Sequence, residues 1–178
     1  KGYDFKKLGY QYNGKMQVLS QVLSSDWLQN KIRVVGGAYG GWSVISSTGQ
    51  SYFASYRDPN LRETLQNYDA TPEYLENFKV DDSEMTRFII GTVSRSLDRP
   101  LTPSERGERA VQMYFEKTTQ ADLQAIRDAV LSTTAQDIRS YSKMIAEMLQ
   151  QNAYCIYGSE EKIQAEKDLF KNIIQLSK

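Results

Sequence analysis

The chain has 178 residues, 22 Lys plus Arg against 22 Asp plus Glu, no His, and 40% hydrophobic residues. That length fits one domain with a core of ordinary size. Charge balance argues against general nucleic-acid binding, which needs a basic surplus to neutralise phosphates. The lack of any apolar run of roughly 18 residues argues against a membrane span.

Lys1 to Lys7 has no apolar run behind its charges, so it does not read as a signal peptide. No initiator Met precedes it, so the chain is expected to be a fragment or a processed piece. Residues 10–12 alternate weakly up to the turn signal Asn13-Gly14 and predict a short strand. Over 15–28, Met16, Val18, Leu19, Val22, Leu23, Trp27 and Leu28 recur mostly at steps of three and four. That spacing predicts an amphipathic helix with one buried face. The run Lys31-Ile32-Arg33-Val34-Val35 then meets Gly36-Gly37-Ala38-Tyr39-Gly40-Gly41, where four glycines in six residues form the strongest local anomaly. Residues 42–46 and 51–56, around Thr48-Gly49, predict a β-hairpin.

Asp58 and Pro59 predict the cap and first position of the next helix, whose face carries Leu61, Leu65 and Tyr68. Thr71-Pro72 repeats the logic ahead of Tyr74, Leu75 and Phe78. Asp81-Asp82-Ser83-Glu84 lacks the spacing and glycine of a calcium loop and reads as a helix start. That helix is expected over 83–97, stopped by Asp98-Arg99-Pro100. Thr102, Pro103 and Glu105 form a capping-box pattern. A helix is expected over 120–131, then a long one from a Thr134 cap to Gln150. Residues 152–157 read as a strand, with Cys155 a small buried hydrophobe inside it. Ser159 to Lys162 opens another helix, and Leu169, Phe170, Ile173, Ile174 and Leu176 lie at helical steps. Strands in front, helices behind and a late returning strand give an α+β fold: a mainly antiparallel sheet with helices packed on one face.

With no His and one Cys, neither a Ser-His-Asp nor a Cys-His triad can form, and zinc sites built on Cys and His are out of reach. The chain itself is expected to hold no metal and no catalytic residue. The glycine run is not a phosphate cradle. No Lys-Ser/Thr follows it, and Ala38 breaks G-x-G-x-x-G.

Ile32-Arg33-Val34-Val35-Gly36-Gly37-Ala38-Tyr39-Gly40 resembles the C-terminal-domain signature of presequence proteases, in the insulinase/pitrilysin superfamily. Ser55-Tyr56-Arg57-Asp58-Pro59-Asn60-Leu61 with Thr64-Leu65, and Lys7-Leu8-Gly9-Tyr10, are similar to the same family. Leu97-Asp98-Arg99-Pro100 and Ser104-Glu105-Arg106-Gly107 extend the likeness over nearly the whole chain. The resemblance implies that residues 1–178 are a single C-terminal insulinase-type peptidase domain, a fragment of a much longer chain. It implies a parent zinc metalloendopeptidase whose homologous α+β domains form two halves closing around a chamber. Zinc would be bound by another domain, on an H-x-x-E-H motif whose Glu is the general base; this chain contains none of that motif. The implied partners are an unfolded peptide substrate and the other domains of the same chain, without nucleic acid or membrane. The implied location is cytoplasmic for a bacterial source and an organelle matrix for a eukaryotic one.

The resemblance also implies that the last domain contributes an Arg and, six positions on, a Tyr to substrate binding. The match selects Arg33 and Tyr39, with Gly36 and Gly37 between them, as the substrate-binding residues. A guanidinium and a phenol are donors suited to a peptide carbonyl that becomes anionic in the transition state. Glycines beside them let backbone and peptide approach closely. The alternative is a metal-less structural or peptide-binding homologue, with Arg33 paired to a surface carboxylate and Tyr39 packed as a half-buried aromatic. The substrate-binding reading needs both side chains to project into one open cavity.

Overall fold

The computed structural model describes residues 1–176. Three antiparallel strands, β1 (Gly2–Asp4), β2 (Gly40–Ile45) and β3 (Gln50–Tyr56), lie in the order β1-β3-β2. β2 and β3 are the expected hairpin. Side chains alternate across a sheet, and here the alternation separates two unlike faces. Ser43, Ile45, Ser51 and Phe53 are buried, whereas Trp42, Tyr52 and Tyr56 are exposed. The register sets Trp42 opposite Ala54 and Val44 opposite Tyr52, so the exposed aromatics share one open face.

Helices cover the buried face. α1 (Lys15–Val22) buries Met16, Val18, Leu19 and Val22. It continues as two π-helical stretches, Leu23–Trp27 and Gln29–Val35. The helical path therefore runs past the expected stop at Leu28. The reason is the four-residue step from Leu28 to Ile32, both fully buried, which keeps one face inside. Ser20 and Ser24 donate hydroxyls to the Ser43 carbonyl at 2.8 and 3.4 Å, and the Ser43 N–H donates to Ser24 Oγ at 2.9 Å. These bonds satisfy the outer edge of β2 and fix the helix against it. Trp27 stacks on Tyr74 at 4.8 Å and donates to the Asn67 carbonyl.

α2 (Arg62–Asp69), α3 (Thr71–Glu76) and α4 (Asp82–Thr92) follow, the last prolonged by a π-helical turn, Val93–Leu97. Then come α5 (Pro103–Glu116), α6 (Gln120–Leu131), α7 (Ala135–Ser140), α8 (Ser142–Gln150) and α9 (Glu160–Ala165). Thr102 and Glu105 form the expected capping box, and Thr119/Asp122 and Thr134/Asp137 repeat it. α8 brings Met144, Ile145, Met148 and Leu149 into the same core as Leu75 and Phe5.

Four expectations fail locally. Residues 10–12 form no strand; the Tyr10 hydroxyl instead donates to Glu147, and the Tyr12 oxygen accepts from Gln17. The long helix after Thr134 breaks at Tyr141, where the Ser142 hydroxyl anchors the start of α8 to Pro72 and Glu76. Residues 152–157 are not a strand. The Gly2 N–H donates to the Ala153 carbonyl, but no ladder follows, and Cys155 is exposed rather than buried. The apolar tail forms a short 3-10 turn (Lys167–Leu169) and no further helix over 170–176. Ile174 and Leu176 stay exposed, so no buried stripe holds a helix there.

Candidate functional site

Arg33 lies near the end of the second π-helical stretch, where Ile32 points inward and Arg33, Val34 and Val35 point out. The chain then closes on itself. Gly36 N–H donates to Lys31 O at 3.0 Å, Gly37 N–H to Arg33 O at 3.1 Å, and Ala38 N–H to Ile32 O at 3.1 Å. Buried Ile32 and Ala38 pin this turn from inside. Gly37 has φ +79°, a conformation costly for any residue with a Cβ. A Cβ on Gly41 would sit 2.9 Å from that of Ile32, so glycine there lets β2 lie against the turn. On the far side, the Tyr39 N–H donates to Tyr56 O at 3.0 Å. Arg33 and Tyr39 thus stand at the two ends of one backbone-locked turn.

A second set of residues holds the turn from outside. Asn60 Nδ2 donates to Gly36 O at 2.7 Å. Asn60 is itself placed by Asp58, whose carboxylate accepts the Asn60 N–H at 3.0 Å and the Thr64 hydroxyl at 2.7 Å. Asp58 and Pro59 therefore do not cap α2. That helix begins three residues beyond Pro59, after Leu61, and Asp58 spends both oxygens on the site's support.

Arg33 is exposed and Tyr39 is 67% exposed. Among the described residues, the Arg33 guanidinium makes no ion pair or side-chain hydrogen bond, and the Tyr39 hydroxyl has no partner. Some such groups elsewhere are committed: Arg62 to Asp168, Arg99 to Glu105, Arg127 to Asp98, Tyr10 to Glu147 and Tyr74 to Asp26. Among the described residues no side-chain hydrogen bond or cation–π contact joins Arg33 to Tyr39. The Tyr39 ring instead meets the Tyr56 ring edge-on at 5.9 Å and 88°. The Arg57 guanidinium lies 5.4 Å from the Tyr56 ring centroid and 6.0 Å from that of Tyr39. Arg57 reaches this position with φ +48°. Such a backbone costs about 1–2 kcal/mol, against about 0.5–1 kcal/mol for an exposed cation–π contact. Two such contacts together about balance the strain, so both rings are needed to hold Arg57 there.

A groove of about 960 Å³ runs along β3, bounded by α2 and by residues 153–159. Tyr56, Arg57, Asp58 and Asn60 line it, and Arg33 and Tyr39 do not. The groove follows the β1 side of β3, whereas Tyr39 sits on the β2 side. Arg57 and Tyr56 connect the two. Neither residue was selected from the sequence as a site. The string from Ser55 to Asn60 marks the region, but nothing in it signals a left-handed Arg.

The donor set suits no zinc ion: the chain has no His, its single Cys is exposed, and the described residues hold no cluster of three His, Cys, Asp or Glu. No chemical step is assigned to a metal in this domain.

The family described as PreP C-terminal domain matches residues 1–157, which include the whole locked turn and its supports. The chain belongs to this family. Protein HypA of Clostridium perfringens is 42% identical over 173 residues, 97% of this chain and 18% of that protein. Presequence protease 1 of Arabidopsis thaliana, chloroplastic/mitochondrial, is 32% identical over 171 residues, 96% of this chain and 16% of that protein. The mitochondrial presequence protease of Drosophila melanogaster is 33% identical over 132 residues, 73% of this chain and 12% of that protein. This PreP C-terminal domain therefore spans less than a fifth of the length of these relatives.

Proposed function

We propose that this PreP C-terminal domain is the non-catalytic last domain of a longer zinc-dependent oligopeptidase that degrades unfolded peptides in a closed chamber. Its part is to present Arg33 and Tyr39 to the substrate. Zinc, held by another domain of the parent chain, would supply an activated water and polarise the scissile carbonyl. Arg33 and Tyr39 donate to peptide oxygens near that centre and bind more strongly as charge develops on them. Gly36 and Gly37 leave the backbone bare at the bend itself, between exposed Val35 and buried Ala38. The open sheet face, with Trp42, Tyr52 and Tyr56, is the chamber wall on this side. Presequence cleavage, named for the plant and insect relatives, is the activity this parent chain would share. The location follows the source, cytoplasmic in a bacterium and an organelle matrix in a eukaryote. Among the described residues no helix is long and apolar enough to cross a membrane.

The observation that carries this reading is the pair of unspent donors. Other arginines and tyrosines also lack carboxylate partners among the described residues, but Arg33 and Tyr39 stand together. These two, on one rigid turn, are held in place by their backbone and left free at their tips.

Kinetics of the full-length enzyme test it. Arg33→Ala and Tyr39→Phe are each expected to lower kcat/KM by roughly 10²–10³, the usual loss for one oxyanion donor, with unchanged melting temperature. Wild-type kinetics in both variants would refute the assignment.

A further inference from the structure

We infer that Arg57 is a positioning residue for the Tyr39 phenol, an inference that rests on Tyr39 being the substrate donor. Three observations converge on it. Arg57 is held in the left-handed region, at φ +48°, where glycine would be cheapest. Such strain persists where the surroundings over-determine it, and it clusters at working sites. Its guanidinium lies within 6.0 Å of the ring centroids of both Tyr39 and Tyr56. The adjacent carboxylate that would otherwise draw it away, Asp58, is occupied by the Asn60 N–H and the Thr64 hydroxyl. Among the described residues Arg57 has no ion-pair partner, and its guanidinium lies beside the two aromatic rings.

The geometry explains why an exposed phenol would have a fixed direction. Tyr39 is 67% exposed and lacks a core to hold its ring. The Tyr56 ring stops it edge-on, and the guanidinium, 5.4 and 6.0 Å from the Tyr56 and Tyr39 centroids, attracts both rings as a cation. Fixing the phenol before substrate arrives removes a reorganisation step from the reaction.

The test is a cycle in the full-length enzyme. Arg57→Gly relieves the backbone strain and deletes the guanidinium, so folding is not at risk; Arg57→Lys keeps a cation without the flat surface. Arg57→Gly is expected to lower kcat by ~10-fold and leave KM within about twofold, with Arg57→Lys in between. In the Tyr39→Phe background, Arg57→Gly is expected to add less than about twofold, because both changes act through one hydroxyl. Wild-type kcat in Arg57→Gly, or losses that multiply, would overturn the inference. A 3-fluorotyrosine placed at position 39 gives a readout independent of activity. Its fluorine signal is expected to move and broaden in Arg57→Gly, and an unmoved signal overturns the positioning role. Full activity in Tyr39→Phe would instead sink the substrate-donor reading, and the fluorine signal alone would then judge Arg57.

Discussion

Gly37 shows how much of the site is decided by single residues. It adopts φ +79°, and a Cβ there would meet only Pro59 Cγ, at 3.7 Å, an ordinary contact. The cost of a side chain is therefore conformational. Gly37→Ala is expected to destabilise the domain by about 1–2 kcal/mol, read from the denaturant midpoint with an unchanged slope. The segment from Arg33 to Tyr39 stands out in the sequence because its glycine-rich string is distinctive. Arg57 and Asn60 do not. A left-handed Arg has no propensity signal, and the reach of Asn60 to Gly36 O spans 24 positions, which periodicity does not see. Asp58 illustrates the same gap. Asp before Pro reads as a helix cap, but its carboxylate works two and six residues on, at Asn60 and Thr64.

Among the elements, helices with local caps were the most readable, because a capping box is written within four residues. α5 is the clearest case. The Thr102 backbone N–H, then the Thr102 and Arg99 side chains, hold the Glu105 carboxylate down to about 2 from its ordinary 4.5. A carboxylate depressed in the folded state contributes stability that is present above its unfolded value and lost as pH falls through the folded one. The first turn of α5 is therefore expected to fray between pH 4.5 and about 2, seen as faster exchange of the Glu105 amide. Thr102→Ala should shift that loss to higher pH, and an amide equally protected at both ends of the range would count against it. Elements that depend on distant partners were misread. The π-helical continuation from 23 to 35 follows from packing of Leu28 and Ile32 beneath β2, and a strand at 152–157 would need a ladder that the Gly2–Ala153 bond does not extend.

Across the whole molecule, the α+β class was legible because strands and helices segregate along the chain, and the one-sided sheet follows from alternation in β2 and β3. One buried tyrosine, Tyr68, and two half-buried ones, Tyr74 and Tyr141, give this architecture an alkaline limit. Burial pushes Tyr68 and Tyr141 up to about 12, and burial together with the Asp26 bond raises Tyr74 further. Their folded values lie above the ordinary 10.0, so the stability they contribute is complete below pH 10 and lost as pH rises through about 12. Thermal melts are expected to fall over that interval, with tyrosinate absorbance lagging until the chain unfolds. Unchanged melting across it would show that these phenols ionise in place. α5 leaves Val111, Tyr114 and Phe115 exposed.

The most direct measurement is a structure of the full-length enzyme, inactivated at its metal site, with an unfolded peptide trapped inside. The side chains of Arg33 and Tyr39 should both lie within hydrogen-bond distance of peptide backbone oxygens, with the open face of the sheet turned toward the ligand. A bound peptide that leaves both groups pointing into bulk solvent or into a neighbouring domain would contradict the account.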